Sequence, residues 1–85
     1  MMRSIDIIRL AREQLSEITS LPVDTVSRCT KEEDGWIVEI ELIEMRRIPN
    51  SCDLLGTYQL RLDADGNLMS YQRTNRYQRS SVEQK

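Results

Sequence analysis

The sequence predicts an α+β fold of two layers, an N-terminal helix packed on a four-stranded antiparallel meander sheet, within a single domain over residues 1–85. Three observations predict it. Before Pro22 the apolar residues recur at helical spacing, and after Pro22 the period changes to the alternation of strands. The alternating region is then punctuated around Gly35, Pro49 and Gly66, at intervals that suit short strands joined by turns.

The helix is expected over about 5–19. Ile5, Ile8, Ala11 or Arg12, Leu15 and Ile18 mark one face, widened by Ile7 and Ala11. Ser4 is placed to cap the N-terminus, Asp6 suits the positive end of the helix dipole, and Arg9 with Glu13 forms an i,i+4 pair. Pro22 closes the segment, because proline disfavours helical geometry in the residue before it.

The sheet is expected over about 23–77. A weak first strand, 23–30, ends in the polar turn Lys31-Glu32-Glu33-Asp34-Gly35. The second, 36–45, alternates most clearly: Trp36, Val38, Ile40 and Leu42 fall on one face, and Ile37, Glu39, Glu41, Ile43 and Met45 on the other. The first set should meet the helix. A linker, Arg46-Arg47-Ile48-Pro49-Asn50-Ser51, leads to a third strand, 54–62, with Gly56, Tyr58, Leu60 and Leu62 on a shared face. Asp63-Ala64-Asp65-Gly66-Asn67 reverses the chain, Gly66 suiting the left-handed position, and a fourth strand follows over 68–77. The polar tail, 78–85, is expected to fray. If Leu62 pairs with Leu68, then Met69, Tyr71 and Arg73 join Ile37, Ile43, Met45 and Leu55 on a half-apolar outer face, the kind that marks interaction sites. The other register turns Tyr71 inward.

Size and composition bound the function. A chain of 85 residues buries only about 60–65% of its unfolded surface, leaving little room for a deep pocket. A net charge of −2, with 31% charged and 39% hydrophobic residues, names no partner by itself. No apolar run approaches the roughly 18 residues that span a bilayer, and Met1-Met2-Arg3-Ser4 leads into an amphipathic pattern rather than a signal peptide, so a cytoplasmic location without membrane contact is expected. Cys29 and Cys52 are far apart and outside any CxxC, so reduced thiols are expected.

No histidine occurs in the chain, which removes the commonest general base and the Ser-His, Cys-His and imidazole-metal arrangements. Glu39 and Glu41, at i,i+2, could form a carboxylate pair but are expected to be solvated on an exposed face. The Asp63–Asn67 turn resembles the opening of a calcium loop, yet its twelfth position holds Thr74 instead of glutamate. Gly35, Gly56 and Gly66 are too dispersed for a phosphate loop. A non-enzymatic protein without cofactor or metal is therefore expected.

Charge is unevenly spread. From Glu32 to Glu44 there are six acids and no base, whereas after Met69 four bases (Arg73, Arg76, Arg79, Lys85) face one acid, Glu83. Arg46, Arg47, Arg73, Arg76 and Arg79, interleaved with Tyr71 and Tyr77, could grip nucleic acid. Pairing of those arginines with Glu39, Glu41 and Glu44 on neighbouring strands is the stronger alternative. Tyrosine and arginine are also enriched at protein interfaces. A meander leaves two edge strands, to which another chain, a second copy included, could add a strand; Pro49 guards one end of the second strand.

Read as a whole, Gly35 to Tyr77 resembles the gas vesicle protein O family, accessory proteins encoded with the shell protein of the gas-filled compartments of buoyant bacteria and archaea. The likeness is carried by Gly35-Trp36 with its alternating Val/Ile and Glu run, Glu44-Met45-Arg46-Arg47-Ile48-Pro49, and Asp53-Leu54-Leu55-Gly56-Thr57-Tyr58. Leu62-Asp63-Ala64-Asp65-Gly66-Asn67-Leu68 and Tyr71-Gln72-Arg73 leading to Arg76-Tyr77 complete it. The ordered run from Arg46 to Arg76-Tyr77 is the specific part. Cys52 stands where a small polar residue would be expected, and the long charged N-terminal extension frequent in the family is not seen. The resemblance implies a cytoplasmic, vesicle-associated role in gas vesicle formation, through contacts with other accessory proteins or the shell protein. A regulatory role in vesicle gene expression is its alternative, and no catalytic residues come with it. Joined to the residue pattern, it marks Arg46, Arg47, Tyr71, Arg73, Arg76 and Tyr77 as a candidate partner-binding surface.

Overall fold

A computed structural model describes residues 3–79. Helix α1 (Ser4–Thr19) precedes strands β1 (Val23–Lys31), β2 (Gly35–Met45), β3 (Leu54–Asp63) and β4 (Leu68–Gln78), with a short 3₁₀ turn, Asn50–Cys52, before β3. The strands pair antiparallel in sequence order, β1-β2-β3-β4, and α1 packs across β1 and β2. The expected α+β architecture is the observed one. Among the described residues no helix is long and apolar enough to cross a membrane.

The helix begins at its expected cap, one residue earlier than expected. Arg3, in extended geometry, is the N-cap; its backbone N–H donates to Asp6 Oδ2 at 3.4 Å, and Ser4 is the first helical residue. Asp6 also draws Arg9 to 3.8 Å, so Arg9 pairs backward toward the N-terminus instead of forward to Glu13. At the other end Ser20 adopts φ 60°, and its N–H donates to the Ser16 carbonyl at 2.8 Å, so a left-handed residue stops the helix before Pro22 is reached.

The buried stripe is narrower than the sequence suggests. Ile7, Ala11 and Leu15 are fully buried, whereas Ile5 and Ile18 are 57% and 50% exposed. The helix rests on the sheet along one i,i+4 row, which leaves isoleucines off that row at its margins. Against the row pack Trp36, Val38, Ile40 and Leu42 of β2, as expected, with Leu60 and Leu62 of β3; Tyr58, Val23, Val26, Cys29 and Leu68 close the edges. Gln14 ties the helix to the β3–β4 turn: its Nε2 donates to the Gly66 carbonyl, and its Oε1 accepts the Leu68 N–H, both at 2.9 Å.

That turn is a hairpin held by its own aspartate. Asp63 Oδ1 accepts the backbone N–H groups of Asp65 and Asn67, both at 2.9 Å, and Gly66 takes φ 89°, where a side chain would be strained.

Single-residue irregularities decide which way β4 faces. Leu62 pairs with Leu68, but the next pair is Arg61 with Ser70, so Met69 is an extra residue. Tyr71 therefore stands opposite Leu60 and Arg73 opposite Tyr58, on the helix side of the sheet. This corrects the expectation that Leu62–Leu68 pairing sends Tyr71 and Arg73 to the outer face. A second extra residue, Thr74, puts Tyr77 opposite Leu55 on the outer side and Arg76 opposite Gly56 on the helix side.

The outer face is also less open than expected. Ile37, Ile43 and Leu55 are buried within it, and Met69 is 65% exposed; Met45, expected on this face, stands opposite Leu54 on the helix side because Glu44 is an extra residue before it. Gln78 belongs to β4 and Arg79 is anchored by hydrogen bonds, which corrects the expectation of fraying at these two residues; the rest of that expectation, 80–85, lies outside the described residues.

A candidate protein-interaction surface

Three buried or nearly buried carboxylates organise the basic end of the molecule, and each sits where a strand irregularity or a loop turns a side chain toward its partners. Glu44 is the extra residue between the pairs Ile43–Leu55 and Met45–Leu54, and its side chain is 9% exposed on the helix side. Its Oε2 accepts the Tyr58 hydroxyl at 2.8 Å; Oε1 receives Arg73 Nη1 at 3.0 Å and Arg76 Nε at 3.1 Å. Burial alone would raise the Glu44 pKa, but the Tyr58 hydroxyl and the two guanidinium groups outweigh it and hold the carboxyl below its usual value. Tyr58 is pushed up, first by burial and then by Glu44.

Gly56 makes room for this cluster. A Cβ at that position would run into the Glu44 carboxylate. Gly56→Ala is therefore expected to displace Glu44 and cost about 1–3 kcal/mol, read as a lower urea midpoint with an unchanged slope; a midpoint equal to wild type would contradict this geometry.

On the opposite face Glu41 is 7% exposed, which corrects the expectation of a solvated carboxylate. Its Oε1 accepts the hydroxyls of Thr57 and Tyr77, both at 2.7 Å, and its Oε2 accepts that of Ser27 at 2.8 Å. Three short donors replace the water that the strand alternation led one to expect. Tyr77 is thereby raised above its ordinary pKa, chiefly by burial and next by the bond to Glu41. Glu39, in contrast, meets Arg28 of β1 at 3.4 Å.

Asp53, 2% exposed, closes the loop between β2 and β3. Its Oδ1 accepts the Arg47 backbone N–H at 2.7 Å, and its Oδ2 accepts Arg79 Nη2 at 3.2 Å, while Arg79 Nη1 reaches Asp24 of β1 at 3.0 Å. The Arg47 N–H leads the influences that hold the Asp53 carboxyl below its usual value.

The six residues marked by the sequence thus fall into three environments. Tyr71, Arg73 and Arg76 lie on the helix side of β4, the two arginines bound to Glu44. Tyr77 lies on the outer side with its hydroxyl engaged. Arg46 and Arg47 are exposed on the loop, and neither side chain has an ion pair among the described residues. The expected pairing of arginines with Glu44 across strands is observed for Arg73 and Arg76, whereas the anchoring role of Asp53 and the spacing role of Gly56 escaped the sequence reading. Their signal was membership of the motif Asp53-Leu54-Leu55-Gly56-Thr57-Tyr58, which assigns neither a contact.

Both cysteines are free thiols, and burial raises the pKa of Cys29. Among the described residues no cluster of His, Cys, Asp or Glu has metal-holding geometry. An open groove between α1 and β1 is lined by Arg9, Arg12, Glu13, Ser16, Glu17 and Val23; others flank Gly35 at the hairpin end. None of these is lined by Glu39, Glu41, Cys29 or Cys52.

The family model described as gas vesicle synthesis protein GvpO matches residues 1–83. The chain is similar to gas vesicle protein O of Streptomyces sp. (strain CB03234), with 40% identity over 73 residues that cover 86% of this chain and 57% of that protein. It is similar to gas vesicle protein O of Haloferax mediterranei at 35% over 51 residues, covering 60% of this chain and 36% of that one. Gas vesicle protein O1 of Halobacterium salinarum is 24% identical over 74 residues, 87% of this chain and 62% of its own. The chain thus spans between 36% and 62% of the length of these relatives. No solved structure matches it.

Proposed function

Because the chain belongs to the gas vesicle synthesis protein GvpO family, we propose that it is a non-enzymatic accessory protein of gas vesicle formation. In this reading it acts in the cytoplasm, through contacts with other gas vesicle accessory proteins or the shell protein during nucleation or growth. Family membership carries the process. The surface chemistry supports protein contact as the mode: arginine and tyrosine side chains gather on β4 and the β2–β3 loop, and β4 is an edge strand with β3 as its one neighbouring strand among the described residues. Of the sequence-marked surface, Arg46 and Arg47 offer exposed charge without an ion pair among the described residues. Tyr71, 41% exposed, offers aromatic area.

The geometry favours this over the nucleic-acid alternative. Counterion release rewards cations that are free to meet phosphate, but Arg73 and Arg76 are already bound to Glu44, and the Tyr77 hydroxyl is bound to Glu41. Deletion of the gene in a vesicle-forming host is expected to abolish vesicles and buoyancy, with a tagged copy restoring both and co-purifying with gas vesicle proteins. Unchanged vesicles in the deletion strain would reject the assembly role; a salt-sensitive gel shift with vesicle promoter DNA would favour the regulatory one.

A further inference from the structure

The β2–β3 loop carries a feature that neither the core nor the carboxylate clusters explain. Ile48 is 100% exposed, and Met45, three residues before it, is 47% exposed. Between them stand Arg46 and Arg47, both exposed and without an ion pair among the described residues, whereas Arg73, Arg76 and Arg79 each meet a carboxylate. The loop is nonetheless anchored. Asp53 fixes it through the Arg47 backbone N–H and connects it, through Arg79, to the end of β4 and to Asp24 of β1.

We propose that this tip, Arg46-Arg47-Ile48, is the principal contact element of the protein, and that its partner is a protein surface on which acidic side chains border an apolar depression. The inference rests on the protein-interaction reading above and assigns the contact within it. Two exposed guanidinium groups without an ion pair among the described residues, Arg46 acting only through space on Asp53, stand beside an aliphatic side chain and complement carboxylates around a depression. Arginine near an apolar anchor also fits the usual make-up of an interface centre. Anchoring by Asp53 reduces the ordering cost of binding. The arginines of β4 are less suited, because binding through them would first have to break their bonds to Glu44.

The test replaces Ile48 with photo-reactive benzoylphenylalanine in the full chain, expressed in a vesicle-forming host, and identifies the cross-linked segment by mass spectrometry. The expected result is an adduct on a gas vesicle protein, at a segment with acidic residues flanking the attachment point, whose yield falls roughly tenfold or more in the R46A/R47A background. No adduct, an adduct on this chain itself, an adduct on nucleic acid, or an adduct whose yield ignores R46A/R47A would overturn it. In a deletion strain, R46A/R47A and Ile48→Ser copies are expected to fail to restore vesicles although their thermal unfolding matches wild type. If deletion itself leaves vesicles intact, the functional reading fails; if deletion abolishes them and both variants restore them fully, the loop assignment alone fails.

Discussion

Leu15→Ala is expected to lower the unfolding free energy by about 2–5 kcal/mol, while Ile18→Ala changes it by no more than about 0.5 kcal/mol. Both residues sit in the same helix, and both read as core from their spacing. Leu15 is fully buried on the row that meets Trp36, Val38 and Ile40, so its truncation leaves a cavity the strands cannot fill. Ile18 is 50% exposed and leaves its place to water. A domain of this size has about 4–13 kcal/mol in total at typical stability per residue, so the first substitution removes a large share. Parallel urea titrations check the contrast, and equal midpoints for the two variants would place the helix in the wrong rotation about its axis.

Stability is also expected to fall on acidification, with Glu44 and Asp53 contributing to the slope. Both carboxyls lie below their ordinary values in the folded state. Unfolded, they titrate near about 4.3 and 3.9. Their contribution is thus complete above those values and is lost as pH falls through the lower folded ones, because there the unfolded chain binds more protons. Glu44→Gln removes the charge while retaining a side-chain oxygen for the Tyr58 hydroxyl. It should cost about 1–3 kcal/mol at neutral pH, toward the lower end because Arg73 and Arg76 are half exposed and recover hydration. Thermal midpoints measured from pH 7 to pH 2 should show a flatter acid limb for Glu44→Gln and for Asp53→Asn. A residual slope should persist from Asp63, which the Asn67 N–H and its neighbours also hold below the usual range. An acid limb identical to wild type in both variants would contradict the clusters described.

The strands were legible in the sequence almost to the residue, because alternation and turn punctuation are local properties. The core face of β2 was legible for the same reason: Trp36, Val38, Ile40 and Leu42 are one continuous period-two set without an interruption. The far strand was not. Met69 and Thr74 each shift the pairing by one residue, and one extra residue turns every later side chain to the other face. Nothing in the string Leu68 to Gln78 marks those two positions, since the irregularity is a property of two strands and only one of them is being read. Tyr71 and Arg73 changed sides in consequence.

The candidate surface follows the same division. Arg46 and Arg47 could be singled out as a basic pair in a linker, and their exposure agrees with that. What separates them from Arg73 and Arg76 is Glu44, 29 residues before Arg73, and Asp53, whose carboxylate joins the loop to Arg79. The sequence by itself determined the element order, the strand limits, the helix-facing stripe of β2 and the family to which the chain belongs, all written in local period or in ordered motifs. Tertiary structure alone decided which isoleucines of the helix are buried, which side of the sheet carries Tyr71, and which arginines are already neutralised. Those depend on the contact row between helix and sheet, on strand register, and on distances between residues far apart in the chain.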